Sequence, residues 1–117
     1  MFKYKKENSL ENRKETFRKL KEKHPKEIPI ICEKAKDSKI ELNIKSHYLL
    51  KEEHKFVFFM KLIRKKLELN DEEGLFFLVN GKFNLTGEET MKEIYDKYKD
   101  KDDGFLYIIY GEEKIFG

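Results

Sequence analysis

Apolar residues fall in short, separated groups along the chain, and their spacing alternates between the helical period and the strand period. Between Ser9 and Pro25 the apolar positions are Leu10, Phe17 and Leu20, at i, i+7 and i+10, and Arg and Lys cover half of the rest. One narrow apolar stripe predicts a surface helix over 10–24. Ser9 suits the N-cap, and Pro25 ends the helix because the residue before a proline is driven out of the helical region. Ile28-Pro29-Ile30-Ile31-Cys32-Glu33-Lys34 is short and β-branched and predicts a strand, with Pro29 near its start, where the missing N–H does no harm. A second strand is expected over 46–50. Over 55–67, Phe56, Phe59, Ile63 and Leu67 recur at i, i+3, i+7 and i+11, the spacing of a helix with one apolar face.

The second half repeats this grammar. Leu75-Phe76-Phe77-Leu78-Val79 is the strongest strand signal, and Asn80-Gly81 directly after it predicts a hairpin with a return strand over 82–85. Thr90 and Glu93 have the capping-box spacing, and behind them Met91, Ile94, Tyr95 and Tyr98 share one helix face. Residues 104–110 read as a last buried strand. The tail from Gly111 to Gly117 has no periodicity and reads as extended. The order is helix, strand, strand, helix, strand, strand, helix, strand. A helix lying across a mixed sheet after two N-terminal strands is an α+β arrangement, of the β-grasp type with an added helical N-terminus.

A length of 117 residues argues for one domain. Hydrophobic residues make up 38% and charged residues 42%, so the core must be compact, and 10 Phe and 6 Tyr make it aromatic. No run approaches the roughly 20 apolar residues of a bilayer span, and no apolar leader is visible. The single cysteine, Cys32, excludes a disulfide framework or a cysteine metal cage within the chain, and reads as a small buried residue of a strand. The net charge of +3 hides an asymmetry. Residues 1–26 carry ten Lys/Arg against four Glu, a net of +6, and the remaining residues carry sixteen against nineteen, a net of −3. A basic arm of this kind can meet acidic proteins, anionic lipid or nucleic acid, or can be a solvated helix face, and charge alone favours the solvated face.

Enzyme chemistry finds little support. His24, His47 and His54 are dispersed, and no GxSxG, HExxH, CxxC or glycine-rich phosphate loop occurs. The doublets Glu52-Glu53, Glu72-Glu73 and Glu88-Glu89 are sequence neighbours that point different ways, so they read as solvent charges. No nucleic-acid motif is present, and no cofactor, metal site or nucleic-acid partner is expected. The strand at 46–50 is a candidate sheet edge, because Lys45, Ser46 and His47 flank Tyr48, Leu49 and Leu50. An edge strand can accept an extended peptide by strand addition, or can be an ordinary edge protected by charge, and periodicity does not separate the two.

Taken in order, the segments resemble the ubiquitin-like modifiers of autophagy, the GABARAP and microtubule-associated light chain type. The matching residues are Phe2-Lys3-Tyr4-Lys5, Glu11-Asn12-Arg13, His24-Pro25, Ile28-Pro29-Ile30-Ile31, Glu33-Lys34 and Tyr48-Leu49. They continue with Leu62-Ile63-Arg64-Lys65-Lys66-Leu67, Leu75-Phe76-Phe77-Leu78-Val79-Asn80, Thr90-Met91, Ile94-Tyr95, Phe105-Leu106-Tyr107-Ile108 and the closing Phe116-Gly117. The match spans the chain, with single-residue insertions near 81–89 and 98–104. Its specificity lies in the ordered set and not in one motif.

The resemblance implies a ubiquitin-like domain over 26–117 carrying a two-helix N-terminal extension over 1–25, as one compact unit. It implies conjugation of Gly117 to the amine of phosphatidylethanolamine by activating and transferring enzymes, and processing by a cysteine protease. Phe76, Leu78 and Phe116 are then the contacts for protease and activating enzyme. It also implies binding of aromatic-x-x-aliphatic motifs on cargo receptors and adaptors. The aromatic pocket falls on Leu20, Pro29, Ile31, Leu49 and Phe105, the aliphatic pocket on Tyr48, Leu50, Phe59 and Leu62, and the rim on Lys45, His47 and Lys66. Such a protein is not an enzyme. It is cytoplasmic when free and sits on autophagosomal or related membranes, in some parasites a plastid, when conjugated. An unconjugated peptide-binding adaptor and a modifier joined to protein are the alternatives. Thr16, Glu27, His47 and Lys51 depart from common family residues; Glu27 and His47 outweigh the other two and lower the positive charge at the groove, so the resemblance implies a weaker preference for acid-flanked peptides.

Overall fold

The computed structural model describes residues 2–70 and 72–113. The elements are α1 (Lys3–Glu7), α2 (Leu10–Lys23), β1 (Glu27–Lys34), β2 (His47–Lys51), α3 (Phe56–Lys66), β3 (Leu75–Val79), β4 (Phe83–Asn84), α4 (Met91–Tyr98) and β5 (Leu106–Glu112). The five strands form one mixed sheet in the order β2-β1-β5-β3-β4. β1 and β5 run parallel, and the other pairs are antiparallel. This is the expected α+β, ubiquitin-like β-grasp with N-terminal helices.

Burial on both sides of the sheet explains the composition of its central strands. On one face, Ile28, Ile30 and Cys32 of β1 and Leu106, Ile108 and Tyr110 of β5 join Phe56, Phe59 and Ile63 of α3 and Met91 and Ile94 of α4. On the other face, Ile31, Phe105 and Tyr107 are covered by Phe2, Tyr4, Phe17 and Leu20 of the N-terminal segment. A strand buried on both faces reads as a continuous apolar run, as β1 does. Leu10 does not join the stripe; it stays 38% exposed, while Phe17 and Leu20 make the contact. Cys32 is buried, and its thiol pKa is pushed upward by burial and then by Glu33.

Three local details differ from the sequence pattern, each for a physical reason. The five residues of α1 are too few to show a period, and its N-cap Phe2 supplies no side-chain hydrogen bond. Glu33 of β1 caps the helix from outside, accepting the backbone N–H groups of Lys3 at 2.8 Å and Tyr4 at 2.9 Å. The return strand shrinks to two residues because Leu85 turns into the core. The hairpin turn itself follows the Asn-Gly rule: both residues have positive φ, and the Lys82 N–H donates to the Val79 carbonyl. The last strand begins and ends two residues later than expected. Asp103 accepts the Phe105 N–H, which makes 103–105 a turn, and Gly111 and Glu112 pair with Phe76 and Leu75 of β3.

Gly104 sits in that turn at φ +90°, and a Cβ there would lie 2.7 Å from the Phe17 ring. Alanine at this position meets both backbone strain and a packed aromatic. Gly104→Ala is expected to destabilise the fold by about 2–4 kcal/mol, read from the urea unfolding midpoint.

A candidate peptide groove beside the edge strand

β2 is a terminal strand of the sheet, and among the described residues no strand pairs with its outer side. Its register against β1 pairs Pro29 with Leu49, Ile30 with Tyr48 and Ile31 with His47. Alternation then sends Leu49 and His47 toward α2, and Tyr48 and Leu50 toward α3. Tyr48 and Leu50 are buried, whereas Leu49 is half-exposed between two exposed neighbours, His47 and Lys51.

A cleft of about 450 Å³ runs along this strand. Leu20 of α2, Phe105, Leu49 and Leu62 of α3 give it apolar walls, and Lys45, His47 and Lys66 stand at its rim. Tyr48 anchors its centre: the phenol donates to the Lys45 carbonyl at 2.7 Å, and the ring meets Phe59 edge-on at 5.5 Å. The Lys45 and Lys66 ammonium groups lie 5.3 Å and 6.0 Å from the Tyr48 ring centroid. Burial raises the Tyr48 pKa, so the phenol stays a neutral donor.

Nine of the twelve groove residues predicted from sequence thus meet around one continuous cleft. Pro29 and Ile31 are buried on β1 behind Leu49 and His47, and Phe59 is fully buried beneath Tyr48, so these three support the walls without lining them. Ile30 lines the cleft and was missed, although alternation along β1 puts it on the Tyr48 face. Tyr4 was also missed as a wall support. Its ring lies 5.1 Å from His47 and 5.4 Å from Phe105, both edge-on, which ties α1 to the rim.

His47 keeps an exposed face, yet burial lowers its pKa below the usual 6.5, and the Glu33 carboxylate offsets only part of the effect. The imidazole is therefore neutral near pH 7. Its ring nitrogen lies 3.3 Å from the Ser46 hydroxyl.

Phe76 and Leu78 lie elsewhere, half-buried on the face of β3 opposite the α3 core. Phe76 packs over Gly111, where a Cβ would approach its ring to 2.7 Å. Phe116 and Gly117 lie outside the described residues. Among the described residues no cluster of His, Cys, Asp or Glu could hold a metal ion, and no helix is long and apolar enough to cross a membrane.

An open edge, apolar walls and cationic ends can hold an extended chain by main-chain hydrogen bonds and side-chain burial. Comparison with known proteins agrees with the fold. The family model described as autophagy protein Atg8, ubiquitin like, matches residues 12–117. Autophagy-related protein 8e of Arabidopsis thaliana is 38% identical over 114 residues, covering 97% of this chain and 92% of that protein. Autophagy-related protein 8 of Mycosarcoma maydis is 37% identical over 114 residues, covering 97% and 95%. The crystal structure of Trypanosoma brucei ATG8 superposes with a TM-score of 0.89 at 37% identity, over 100% of this chain and 99% of that one. With the β-grasp sheet, the N-terminal helices and these matches together, the chain belongs to the Atg8 family of ubiquitin-like autophagy proteins.

Proposed function

We propose that this Atg8-family chain is joined through Gly117 to phosphatidylethanolamine on autophagosomal membranes and gathers partners by strand addition to β2. The observation that supports the binding half is the edge of β2, unpaired among the described residues, beside a leucine-walled, lysine-rimmed cleft. A peptide of the form aromatic-x-x-aliphatic would add a strand there, its aromatic residue near Leu20, Leu49 and Phe105 and its aliphatic residue near Leu50 and Leu62. Burying one aromatic anchor is worth about 2–3 kcal/mol, and strand hydrogen bonds add about 1 kcal/mol each. A micromolar Kd, about −8 kcal/mol, is the expected scale.

The attachment half rests on family membership and on the Phe116-Gly117 ending. Activating and transferring enzymes would carry the glycine as a thioester. The lipid amine attacks the thioester carbon, a C–N bond forms, the C–S bond breaks, and the amine proton leaves as the thiol is released. Glycine has no Cβ to obstruct a narrow active site. Phe76, Leu78 and Phe116 would be read by the activating enzyme and by the cysteine protease that processes the chain. The modifier is a substrate of this chemistry, moving from the cytoplasm to the membrane. The test is reconstitution of the full chain with activating and transferring enzymes and phosphatidylethanolamine liposomes, read by intact mass. A gain of one aminophospholipid less water is expected. A gain matching a polypeptide adduct, or no gain, overturns the reading.

The rim adds a pH dependence. A histidine whose pKa is lower in the folded chain binds fewer protons than in the unfolded chain, so stability falls as pH drops below about 6.5. Once protonated, His47 adds a third cation beside Lys45 and Lys66. An acid-flanked peptide is expected to bind up to about fivefold tighter at pH 5.5 than at 7.5, and His47→Gln should flatten the profile. Isothermal titration at the two pH values checks this.

A further inference from the structure

The groove leaves most of the positive charge of this chain unused. Two further clefts, of about 600 and 970 Å³, open beside α1 and share Phe2, Asn80 and Lys82. They form one continuous surface. α1 lends it three lysines, the end of β1 two, the β3–β4 turn Lys82, and the α4 terminus Lys97, Lys99 and Lys101. Nine lysines face three carboxylates, Glu33, Asp100 and Asp102, which leaves six positive charges. The whole chain carries +3, so everything outside this surface sums to −3. Two of the three carboxylates are already engaged: Glu33 caps α1, and Asp100 pairs with Lys5 at 2.5 Å.

We propose that this surface is a contact face for the anionic headgroups of a bilayer. Every cation on it is lysine, a hydrated point charge on a flexible stem, which suits a diffuse array of phosphates better than bidentate recognition of one ligand. Phe83 is 47% exposed within it and stacked on Tyr98 at 5.3 Å, an aromatic body at the depth where amphipathic rings meet headgroups. The position of Glu113 agrees. Ala35 borders both the lysine surface and the hollow formed with Asp37, Phe76, Glu112 and Glu113, whose three carboxylates mark the limit of the cationic face. Gly117 stands four residue steps beyond Glu113, a span of at most about 14 Å. The body measures 41 × 30 × 22 Å, so a lipid on Gly117 holds the Ala35 side near the membrane. That orientation rests on attachment at Gly117; the lysine surface does not.

The test therefore uses the unconjugated full chain, so that it fails independently of lipid attachment. Flotation with phosphatidylcholine vesicles containing about one-third phosphatidylserine is compared with pure phosphatidylcholine, at low and physiological salt. Binding to the anionic vesicles alone, weakening with salt, is expected. Each lysine near an anionic surface strengthens partition about fivefold. The exposed quadruple variant Lys82→Gln, Lys97→Gln, Lys99→Gln, Lys101→Gln should then lose at least tenfold. A control with Lys14, Lys19, Lys23 and Lys61 changed to Gln has the same net charge and should lose less than threefold. Equal loss in both variants overturns the proposal, as does absence of binding to anionic vesicles at low salt. Displacement from the vesicles by soluble polyglutamate at equal charge concentration also overturns it, in favour of an acidic polypeptide. Thermal melts of both variants matching the parent exclude misfolding as the cause.

Discussion

A chain lacking Gly117 is expected to gain no lipid in the reconstituted reaction, yet to bind an aromatic-x-x-aliphatic peptide within about twofold of the full chain, because the cleft beside β2 is lined by residues between Leu20 and Phe105 and not by the tail. The reciprocal variant is Leu49→Arg. Leu49 is half-exposed on the edge strand, so the substitution is tolerated by the core, whose neighbouring residues Tyr48 and Leu50 point the other way. The arginine fills the space between Leu20 and Leu62 and brings charge to an apolar wall. Peptide affinity is expected to fall by about 100-fold or more, in the range of a central hot spot, while the lipid adduct still forms. Mass spectrometry reads the first property and calorimetry the second. If either variant lost both, one site would serve both activities and the proposed separation would fail.

The second large effect is on stability, and it lies at Arg13. The Asp103 side chain is fully buried, and the Arg13 Nε donates to it at 2.8 Å from a side chain only 11% exposed. Asp103 also accepts from the Tyr107 hydroxyl and the Phe105 N–H, and Arg13 donates onward to the Asn8 carbonyl at 2.8 Å. One carboxylate thus joins the α1–α2 segment to the start of β5. Arg13→Met leaves that carboxylate buried without its countercharge, and loss of one partner of such a pair costs about 3–5 kcal/mol. Lys5→Met removes the neighbouring pair with Asp100, where the lysine is 30% and the aspartate 12% exposed; the Asp102 and Asp103 N–H groups still donate to that carboxylate, so a smaller cost of about 1–2 kcal/mol is expected. Urea unfolding followed by tyrosine fluorescence separates the two. Equal costs would mean that burial of Asp103 is not what makes its pair matter.

Much of this architecture was legible in the chain itself. The stripe of Phe56, Phe59 and Ile63, the Thr90–Glu93 capping box and the Asn80-Gly81 turn act within a few residues, and each appears at its expected place. Polar–apolar flanking at 46–50 correctly marked β2 as a sheet edge. The groove was different. Its walls are ordinary core and boundary residues by periodicity, and only the resemblance to a known family sorted them into a site. What stayed hidden depends on partners far apart in sequence. Glu33 capping α1 lies 30 residues from Lys3, and Asp103 holding Arg13 lies 90 residues away. Neither spacing leaves a local signature, because a carboxylate in a strand or a turn reads as surface charge until the sheet brings its partner to it. The basic arm shows in the sequence as a charge imbalance over 1–26, but its meeting with Lys82, Lys97, Lys99 and Lys101 does not, since separate segments supply them.

The parallel pairing of β1 with β5 sets residue 30 against residue 106, at the heart of the sheet. During synthesis β1 emerges well before β5, its neighbour at the centre of the sheet. Until then β1 has only β2 for company, and β3 waits with one side unpaired. Between the two, the nascent chain carries open, apolar strand borders, a state prone to misassembly. Closing so long a loop also slows the final step once the chain is complete. A polypeptide that stops before residue 106 lacks the strand that joins β1 to β3, and its sheet cannot close.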